Sequence, residues 1–224
     1  MKDELKECNI VTDCDEILVN ISPKWCRKIL EDREFYRPYF KVEILEEHED
    51  DEEKFNKCVL NRDKFYLNLW LQREGVTVPD HVFKKFLSIH AEKGFYEDLD
   101  ILPMALGLKQ LAKHSSVKNV YVISKHAENS DSLDSKINLI KSLFPQEKLI
   151  IKMLKPSESK GDAIKDIDIE YGFILDDEIK NLKEYLKQDN VKNCYIYLPE
   201  LGYNVPDVET LDLMLEKNIE FKVY

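Results

Sequence analysis

The hydrophobic positions of this chain alternate between short apolar runs and longer segments with helical periodicity. The short runs are rich in β-branched residues and end at polar turns, which is typical of buried strands. The pattern predicts strands at 8–13, 117–124, 148–154, 171–177, 193–198 and 219–224.

Segments with a helical period separate the later strands. Helices are predicted at 103–114, 129–143, 160–167, 178–188 and 207–217. Strands that alternate with helices favour parallel βαβ units, and right-handed crossovers place the helices on both faces of the sheet. We therefore expect an α/β fold in three layers, with a Rossmann-like parallel sheet in the middle.

One long insert breaks this alternation directly after the first strand. Pro79 and Asp80 precede an apolar-periodic run that Gly94 follows, which is the pattern of a helix start and stop. The insert is too long for an ordinary βα connection, and it leaves the sheet at an edge where such sheets bind ligands. We predict an α/β core domain of residues 1–22 and 99–224, and a helical cap domain of residues 23–98.

The charge of the chain narrows the classes of ligand. With 33 Lys and Arg against 44 Asp and Glu, the formal net charge is -11. Long nucleic acid is therefore not an expected partner, because phosphate backbones are held by clusters of Lys and Arg. An anionic substrate would need local positive groups. The most acidic run, 46–53, is expected to be a solvated loop.

Cysteine content and hydropathy indicate a cytoplasmic protein. The five cysteines are odd in number and lack metal-ligand spacing, so we expect reduced thiols. The chain shows neither an apolar run of signal-peptide type nor a stretch of roughly 20 apolar residues. We expect no membrane partner, and the pattern leaves a homodimer open.

Two pairs of aspartates mark the ends of predicted strands. Asp13 and Asp15 leave the first strand in the sequence IVTDCDEIL, and Asp176 and Asp177 end the run GFILDD. Alternation along a strand starts residues i and i+2 on the same side. Clustered carboxylates repel each other unless a cation lies between them, and oxygen ligands favour Mg²⁺.

A serine and a lysine could complete a phosphate site. Ser124 ends the strand YVIS and is followed by Lys125, and a small hydroxyl with nearby N–H groups can hold a phosphate oxygen. Lys160 lies at a predicted helix start in SKGDAI and could supply positive charge. Lys155 competes for this role, but Lys160 is preferred because its helix begins beside the acidic strand. Each residue alone is ordinary, since an aspartate at such a junction often caps a helix.

The order of these four segments resembles the haloacid dehalogenase-like phosphohydrolases. Their motifs are a first-strand DxDx[T/V], a Ser or Thr after a second strand, a Lys, and an acidic pair after a further strand. This chain offers DCDEI, VISK, SKGDAI and FILDD, with Ile17 where the family prefers Thr or Val. A receiver domain has its acidic pair first in the chain, so that alternative is rejected.

The resemblance implies roles for these residues. Asp13 would attack phosphorus and form an aspartyl-phosphate, and Asp15 would protonate the leaving oxygen and then activate water. Ser124, Lys125 and Lys160 would hold the phosphoryl group. Mg²⁺ would be bound by Asp13, the backbone carbonyl of Asp15, Asp176 and, through water or as an orienting group, Asp177.

A narrower resemblance points to a nucleotide substrate. The segment GFYEDLDILPMALG is similar to the cap-to-core segment of 5′(3′)-deoxyribonucleotidases, although Met104 replaces a glycine and His90 stands where some members have a stacking tryptophan. It implies that Phe95 and Tyr96 bind substrate. The other cap aromatics are mostly expected to pack in a core.

We therefore expect a Mg²⁺-dependent phosphatase of small phosphate monoesters, in particular a 5′-nucleotidase acting on nucleoside or deoxynucleoside monophosphates. Two alternatives stay open at this stage. The same machinery could act on a sugar phosphate or a nucleic-acid end, or the fold could be a binding module without activity.

Overall fold

The computed structural model describes residues 6–127 and 130–223, and its centre is a parallel sheet of six strands within those residues. The order across the sheet is β3-β2-β1-β4-β5-β6, and every neighbouring pair is parallel. The strands are β1 Cys8–Thr12, β2 Val117–Lys125, β3 Leu149–Leu154, β4 Phe173–Leu175, β5 Tyr195–Leu198 and β6 Glu220–Val223.

Strand β1 lies where the order of the sheet reverses. It pairs with β2 on one side and with β4 on the other, and all five of its residues are buried. Successive side chains point to opposite faces, so Ile10 packs in one hydrophobic cluster and Val11 in the other. The crevice outside the carboxyl end of such a strand is where open α/β sheets bind ligands.

Five helices of the described chain follow the insert and cover the two faces of the sheet. The hydrophobic cluster that contains Val11 packs β1, β2 and β4 against helices such as α10 (Ile179–Leu186), whose Leu182 and Leu186 are fully buried. The predicted three-layer α/β fold is confirmed. Position 129, at the start of the predicted helix 129–143, lies outside the described residues, and over the residues described the predicted helices differ from the observed ones only at their ends. They are α7 Pro103–Leu111, α8 Leu133–Leu143, α9 Lys160–Ile164, α10 Ile179–Leu186 and α11 Val208–Glu216.

The insert between β1 and α7 is helical, as its periodicity predicts. Its helices pack around aromatic side chains, with the Trp25 and Phe40 rings 5.0 and 5.5 Å from that of Phe86. These rings belong to the same buried cluster as one face of the sheet, so the insert shares a core with the domain beneath it. The helices are α1 Ser22–Glu31, α2 Arg33–Tyr36, α3 Glu43–Glu46, α4 Glu52–Leu60, α5 Leu67–Leu71 and α6 Asp80–Ala91.

The acidic run 46–53 is not simply the solvated loop that was expected. It ends α3 and begins α4, and the side chain of Asp51 caps α4 by accepting the Lys54 N–H. Arg33 places its guanidinium 2.6 Å from Glu49, and Arg37 places its own 2.7 Å from Glu46. Arg33 lies in α2 and Arg37 directly follows that helix. Because both arginines pair with these acids, the negative charge of the run is partly neutralised, and the run connects α3 with α4.

Two further features are the state of the cysteines and the lengths of the helices. The five cysteines are free thiols in the structure. Across residues 6–127 and 130–223, every helix is too short or too polar to cross a bilayer.

Candidate active site

Three carboxylates converge at the carboxyl edge of the sheet. Asp13 directly follows β1, and Asp176 and Asp177 directly follow β4. These strands are neighbours, with Thr12 opposite Leu175, and the Asp13 N–H donates to the Leu175 carbonyl at 2.9 Å. One oxygen from each of the three carboxylates lies within 4.8 Å of the others. The register of two parallel strands therefore builds the cluster.

Lys160 is the positive charge of this cluster. Its Nζ lies 2.6 Å from Oδ2 of Asp13 and 2.8 Å from Oδ2 of Asp176, and its side chain is almost completely buried. Lys160 is the first residue of α9, which Ser159 caps by accepting the Asp162 N–H. A Cβ on Gly161 would lie 2.5 Å from the Glu184 carbonyl oxygen, so only glycine lets α9 approach α10 this closely.

The carboxylate of Asp176 is held by four donors. Besides Lys160, it accepts hydrogen bonds from the Tyr185 hydroxyl at 3.0 Å, the Asn181 amide at 2.9 Å and the Glu178 N–H at 3.1 Å. Such a carboxylate is fixed in orientation, which is how ligands are usually prepared for a metal.

Asp177 accepts fewer hydrogen bonds than Asp176 does. Its Oδ2 accepts a hydrogen bond from the Tyr203 hydroxyl at 2.8 Å, and Asp177 faces the cavity whereas Asp176 lies behind it. Within the acidic pair, Asp176 is thus anchored to the protein and Asp177 is directed toward a ligand.

The cluster carries more negative than positive charge. Burial raises the pKa of Asp13, with Lys160 opposing the effect, and burial together with Asp176 raises the pKa of Asp177 well above its usual value. Burial would lower the pKa of Lys160, but Asp13 and Asp176 hold it well above the ordinary value. Three carboxylates share one ammonium group, so the site favours an additional cation. Carboxylate oxygens are the type of ligand that Mg²⁺ prefers.

Asp15 belongs to a separate network. Its Oδ2 lies 2.8 Å from Nζ of Lys136, and its Oδ1 accepts a hydrogen bond from the Tyr96 hydroxyl at 3.0 Å. Nε2 of His90 lies 2.6 Å from the same hydroxyl. Burial would raise the pKa of Asp15, but Lys136, and after it His90, hold the value below the ordinary one. These contacts favour the carboxylate form of Asp15.

A cavity of about 380 Å³ lies over these groups, between the sheet edge and the insert. Asp13, Asp15 and Lys160 line it on the sheet side, and Trp25 and Phe86 are among the aromatic residues on the insert side. The cavity therefore has charged groups at the sheet edge and several aromatic rings, together with Arg62, on the insert side, which suits a ligand with a phosphate group and a less polar body.

The remaining predicted phosphate ligands lie where the sequence pattern places them. Ser124 is buried at the end of β2, next to β1, and Lys125 follows it half-buried; both line the cavity. Lys155, the competing lysine, lies in an exposed stretch and does not line it. The structure thus brings Lys160, rather than Lys155, to the carboxylates.

The predicted substrate contacts of Phe95 and Tyr96 are not supported by their placement. The two residues are 3% and 1% exposed, and neither lines the cavity. Phe95 packs edge-on against Trp25 and His90, while Tyr96 is occupied with Asp15. Their rings fill the region behind the cavity wall, so Tyr96 orients a carboxylate instead of stacking on a base.

Comparison with known proteins adds information about the fold. Searches against protein-family models and against curated proteins find no match. Among solved structures, a protein of Burkholderia xenovorans LB400 assigned as a haloacid dehalogenase-like hydrolase aligns with 97% of this chain and 95% of its own, at a TM-score of 0.50 and 12% identity. This chain has the haloacid dehalogenase-like fold.

Two further structures align less well. A haloacid dehalogenase-like hydrolase of Xanthomonas campestris reaches a TM-score of 0.47 at 11% identity, over 92% of this chain and 88% of its own. A Bacteroides vulgatus protein assigned as a beta-phosphoglucomutase reaches 0.43 at 11% identity, over 99% and 85%. The narrower resemblance to deoxyribonucleotidases stays a prediction.

Proposed function

We propose that this chain is a Mg²⁺-dependent phosphohydrolase of small phosphate monoesters that forms an aspartyl-phosphate on Asp13. The observation that supports this most directly is the position of the Asp13 carboxylate. It lies in a cavity, 2.6 Å from a buried lysine and within a cluster of three carboxylates. The cavity volume of about 380 Å³ is in the range of small-molecule sites.

Asp13, Asp176 and Asp177 would hold the Mg²⁺ ion through carboxylate oxygens, and Asp15 would add its backbone carbonyl. When bound, the ion neutralises charge on the phosphoryl group and on the surrounding carboxylates. The Tyr185 and Tyr203 hydroxyls donate hydrogen bonds to Asp176 and Asp177 and would fix their carboxylates for this role.

In the first step, a carboxylate oxygen of Asp13 attacks phosphorus and the bond from phosphorus to the ester oxygen breaks. The electron pair of that bond goes to the leaving oxygen, which takes a proton from Asp15. Lys160, together with Ser124 and Lys125 at the end of β2, balances the charge of the phosphoryl oxygens.

In the second step, water attacks the aspartyl-phosphate and its proton goes to Asp15. The acyl phosphate bond breaks, phosphate leaves and the Asp13 carboxylate is restored. The contacts of Asp15 with Lys136 and Tyr96 favour its carboxylate form, which is the form that accepts a proton in this step. The proton accepted here is the one that Asp15 donates to the leaving oxygen in the next turnover. The same side chain therefore serves as acid and then as base.

A nucleoside monophosphate is the substrate that the sequence resemblance favours, and the aromatic residues on the insert side of the cavity are compatible with it. The alternatives are a sugar phosphate and a nucleic-acid end, of which the net charge of -11 disfavours the latter.

The decisive experiment measures phosphate release from p-nitrophenyl phosphate and from panels of nucleotides and sugar phosphates. We expect release with Mg²⁺ and none with EDTA. A protein that binds these esters in calorimetry without hydrolysing any of them would be a binding module, and the proposal would fail.

A further inference from the structure

Glu16 has an unfavourable backbone conformation for its residue type. It lies in the turn after Asp15 with φ of 57°, in the left-handed region that glycine adopts freely. The turn is closed by a hydrogen bond of 2.8 Å from the Glu16 N–H to the Val19 carbonyl. A non-glycine residue in this region costs of order 1–3 kcal/mol and tends to occur at functional sites.

The side chain of Glu16 is only half satisfied. Glu16 is 5% exposed, and its Oε1 accepts a hydrogen bond of 3.0 Å from the Ser22 N–H and another from the Ser22 hydroxyl. Its Oε2 is buried and has no hydrogen-bond partner among the described residues. A buried oxygen without a partner costs about 1–3 kcal/mol.

A purely structural role, the capping of α1, explains only one of the two carboxylate oxygens of Glu16. By accepting the Ser22 N–H, Oε1 caps the start of α1, where Ile21 provides no side-chain cap. A cap needs a single acceptor, so it does not account for the second oxygen. Glu16 lines the same cavity as Asp13 and Asp15, and a ligand in that cavity could supply the missing donor.

The charges around Glu16 indicate which kind of donor fits. Arg62 is buried, lines the cavity beside Glu16 and interacts with it electrostatically. Its guanidinium is held by the Val59 carbonyl at 2.9 Å and lies 4.5 Å from the centre of the Tyr203 ring. Positive charge is thus already present on this side of the cavity, so a neutral donor such as a hydroxyl suits Oε2 better than a second cation.

We propose that Glu16 is a specificity-determining residue whose Oε2 accepts a hydrogen bond from a hydroxyl group of the leaving alcohol. The preferred substrates are then phosphate monoesters of hydroxylated alcohols, such as sugars and other polyols, over those of plain alkyl alcohols. This inference rests on the proposed phosphatase function.

The test uses two esters that share a carbon skeleton, propyl phosphate and 2,3-dihydroxypropyl phosphate. A hydrogen bond to a charged acceptor is worth enough to favour the dihydroxy ester on the order of 10- to 100-fold in kcat/KM. In Glu16→Gln the side-chain oxygen still caps α1, but an NH₂ group replaces the free acceptor. The preference should fall below about threefold, while the urea midpoint of unfolding stays close to that of the native protein.

A matched control is Glu178→Gln, because Glu178 also lines the cavity and is partly buried. Its ratio of kcat/KM values for the two esters should match that of the native protein. The inference is overturned if the native protein hydrolyses both esters equally well, or if Glu16→Gln and Glu16→Met both keep the native ratio, since the methionine side chain neither accepts from a hydroxyl nor donates to one.

Failure of the proposed function would be recognised separately. If neither these two esters nor any ester of the panel above releases phosphate with Mg²⁺, the phosphatase proposal fails. Whenever the two esters are not hydrolysed, calorimetry of the same pair tests Glu16 by affinity. The dihydroxy ester should bind tighter on the order of tenfold to the native protein, with the difference lost in Glu16→Gln. Equal binding to the native protein would overturn the inference in that case as well.

Discussion

Two buried lysines serve the aspartates of this cavity in different ways. Lys160 lies between Asp13 and Asp176, in a cluster that also contains Asp177, whereas Lys136 meets the single carboxylate of Asp15. The Lys160 group therefore carries excess negative charge, and the Lys136 group is balanced. A group with excess negative charge attracts a cation, and the bound cation can in turn hold a phosphate, while a balanced group holds a proton carrier in place.

The largest expected effect is the loss of phosphatase activity when the proposed nucleophile, Asp13, is replaced. Asp13→Asn should lower kcat/KM by at least about 10⁴-fold, because an amide oxygen does not form the phosphoryl intermediate. Phosphate release with Mg²⁺ measures this, and Asp134→Asn, at an exposed position of α8, is the control. Near-native turnover in Asp13→Asn would rule out a covalent role for this residue.

Removal of the two lysines should destabilise the protein unequally. Lys160→Met leaves two buried carboxylates without their cation and should cost about 3–5 kcal/mol of unfolding free energy. Lys136→Met removes the cation of a single carboxylate, that of Asp15, whose side chain is 21% exposed, and should cost about 1–3 kcal/mol. Urea unfolding of both variants in EDTA gives the comparison. An equal or larger loss in Lys136→Met would contradict the distinction between the two groups.

The difference between these lysines also shows how far sequence reasoning reaches. The Lys160 group was predictable because each member stands next to a strand end or a helix start, and the carboxyl ends of parallel strands meet at one edge. The strand and helix positions followed from apolar periodicity in the same way.

The partners of Asp15 lie beyond such rules. Lys136 lies inside α8, in its first half, and nothing adjacent in sequence connects it with Asp15. One signal was present, since Lys136 shares a helix face with Leu133 and Ile140 at spacings of three and four, and a lysine on an apolar face indicates a buried charge. Tyr96 and His90 reach Asp15 only through the folding of the insert, so periodicity could not reveal their pairing.

The next largest effect concerns Mg²⁺ binding, which should depend on the carboxylates around Lys160 and not on the side chain of Asp15 beside Lys136. At 100 times its Kd, Mg²⁺ should stabilise the native protein by about 2.7 kcal/mol. Asp177→Asn should lose most of this effect because a carboxylate of the cluster is gone. Asp15→Asn should keep it, since the side chain of Asp15 lies in the other group and only its backbone carbonyl would face the ion.

Thermal unfolding with Mg²⁺ and with EDTA measures this difference for all three proteins. A native protein without a Mg²⁺-dependent shift would remove the case for a metal site at Asp13, Asp176 and Asp177. A shift that disappears in Asp15→Asn would show that the two groups act as one.

The smallest expected effect concerns the pH dependence of the Lys136 group. Burial lowers the pKa of His90 from 6.5 to about 4, with Asp15 opposing the effect and Lys136 and His126 adding to it. Between these pH values the unfolded chain binds a proton on His90 and the folded protein does not. Stability should therefore fall as pH decreases from 6.5 to 4, by an amount on the order of 2 kcal/mol.

His90→Gln sharpens this expectation, because glutamine can still pair with the Tyr96 hydroxyl but does not titrate. The variant should lose less stability than the native protein over that pH range in urea unfolding. His114→Gln, at an exposed position, should behave like the native protein. If His90→Gln and the native protein follow the same pH profile, His90 is already protonated in the folded state. A protonated ring next to Lys136 would then leave the Asp15 network with excess positive charge, and the contrast between the two lysine groups would lose its basis.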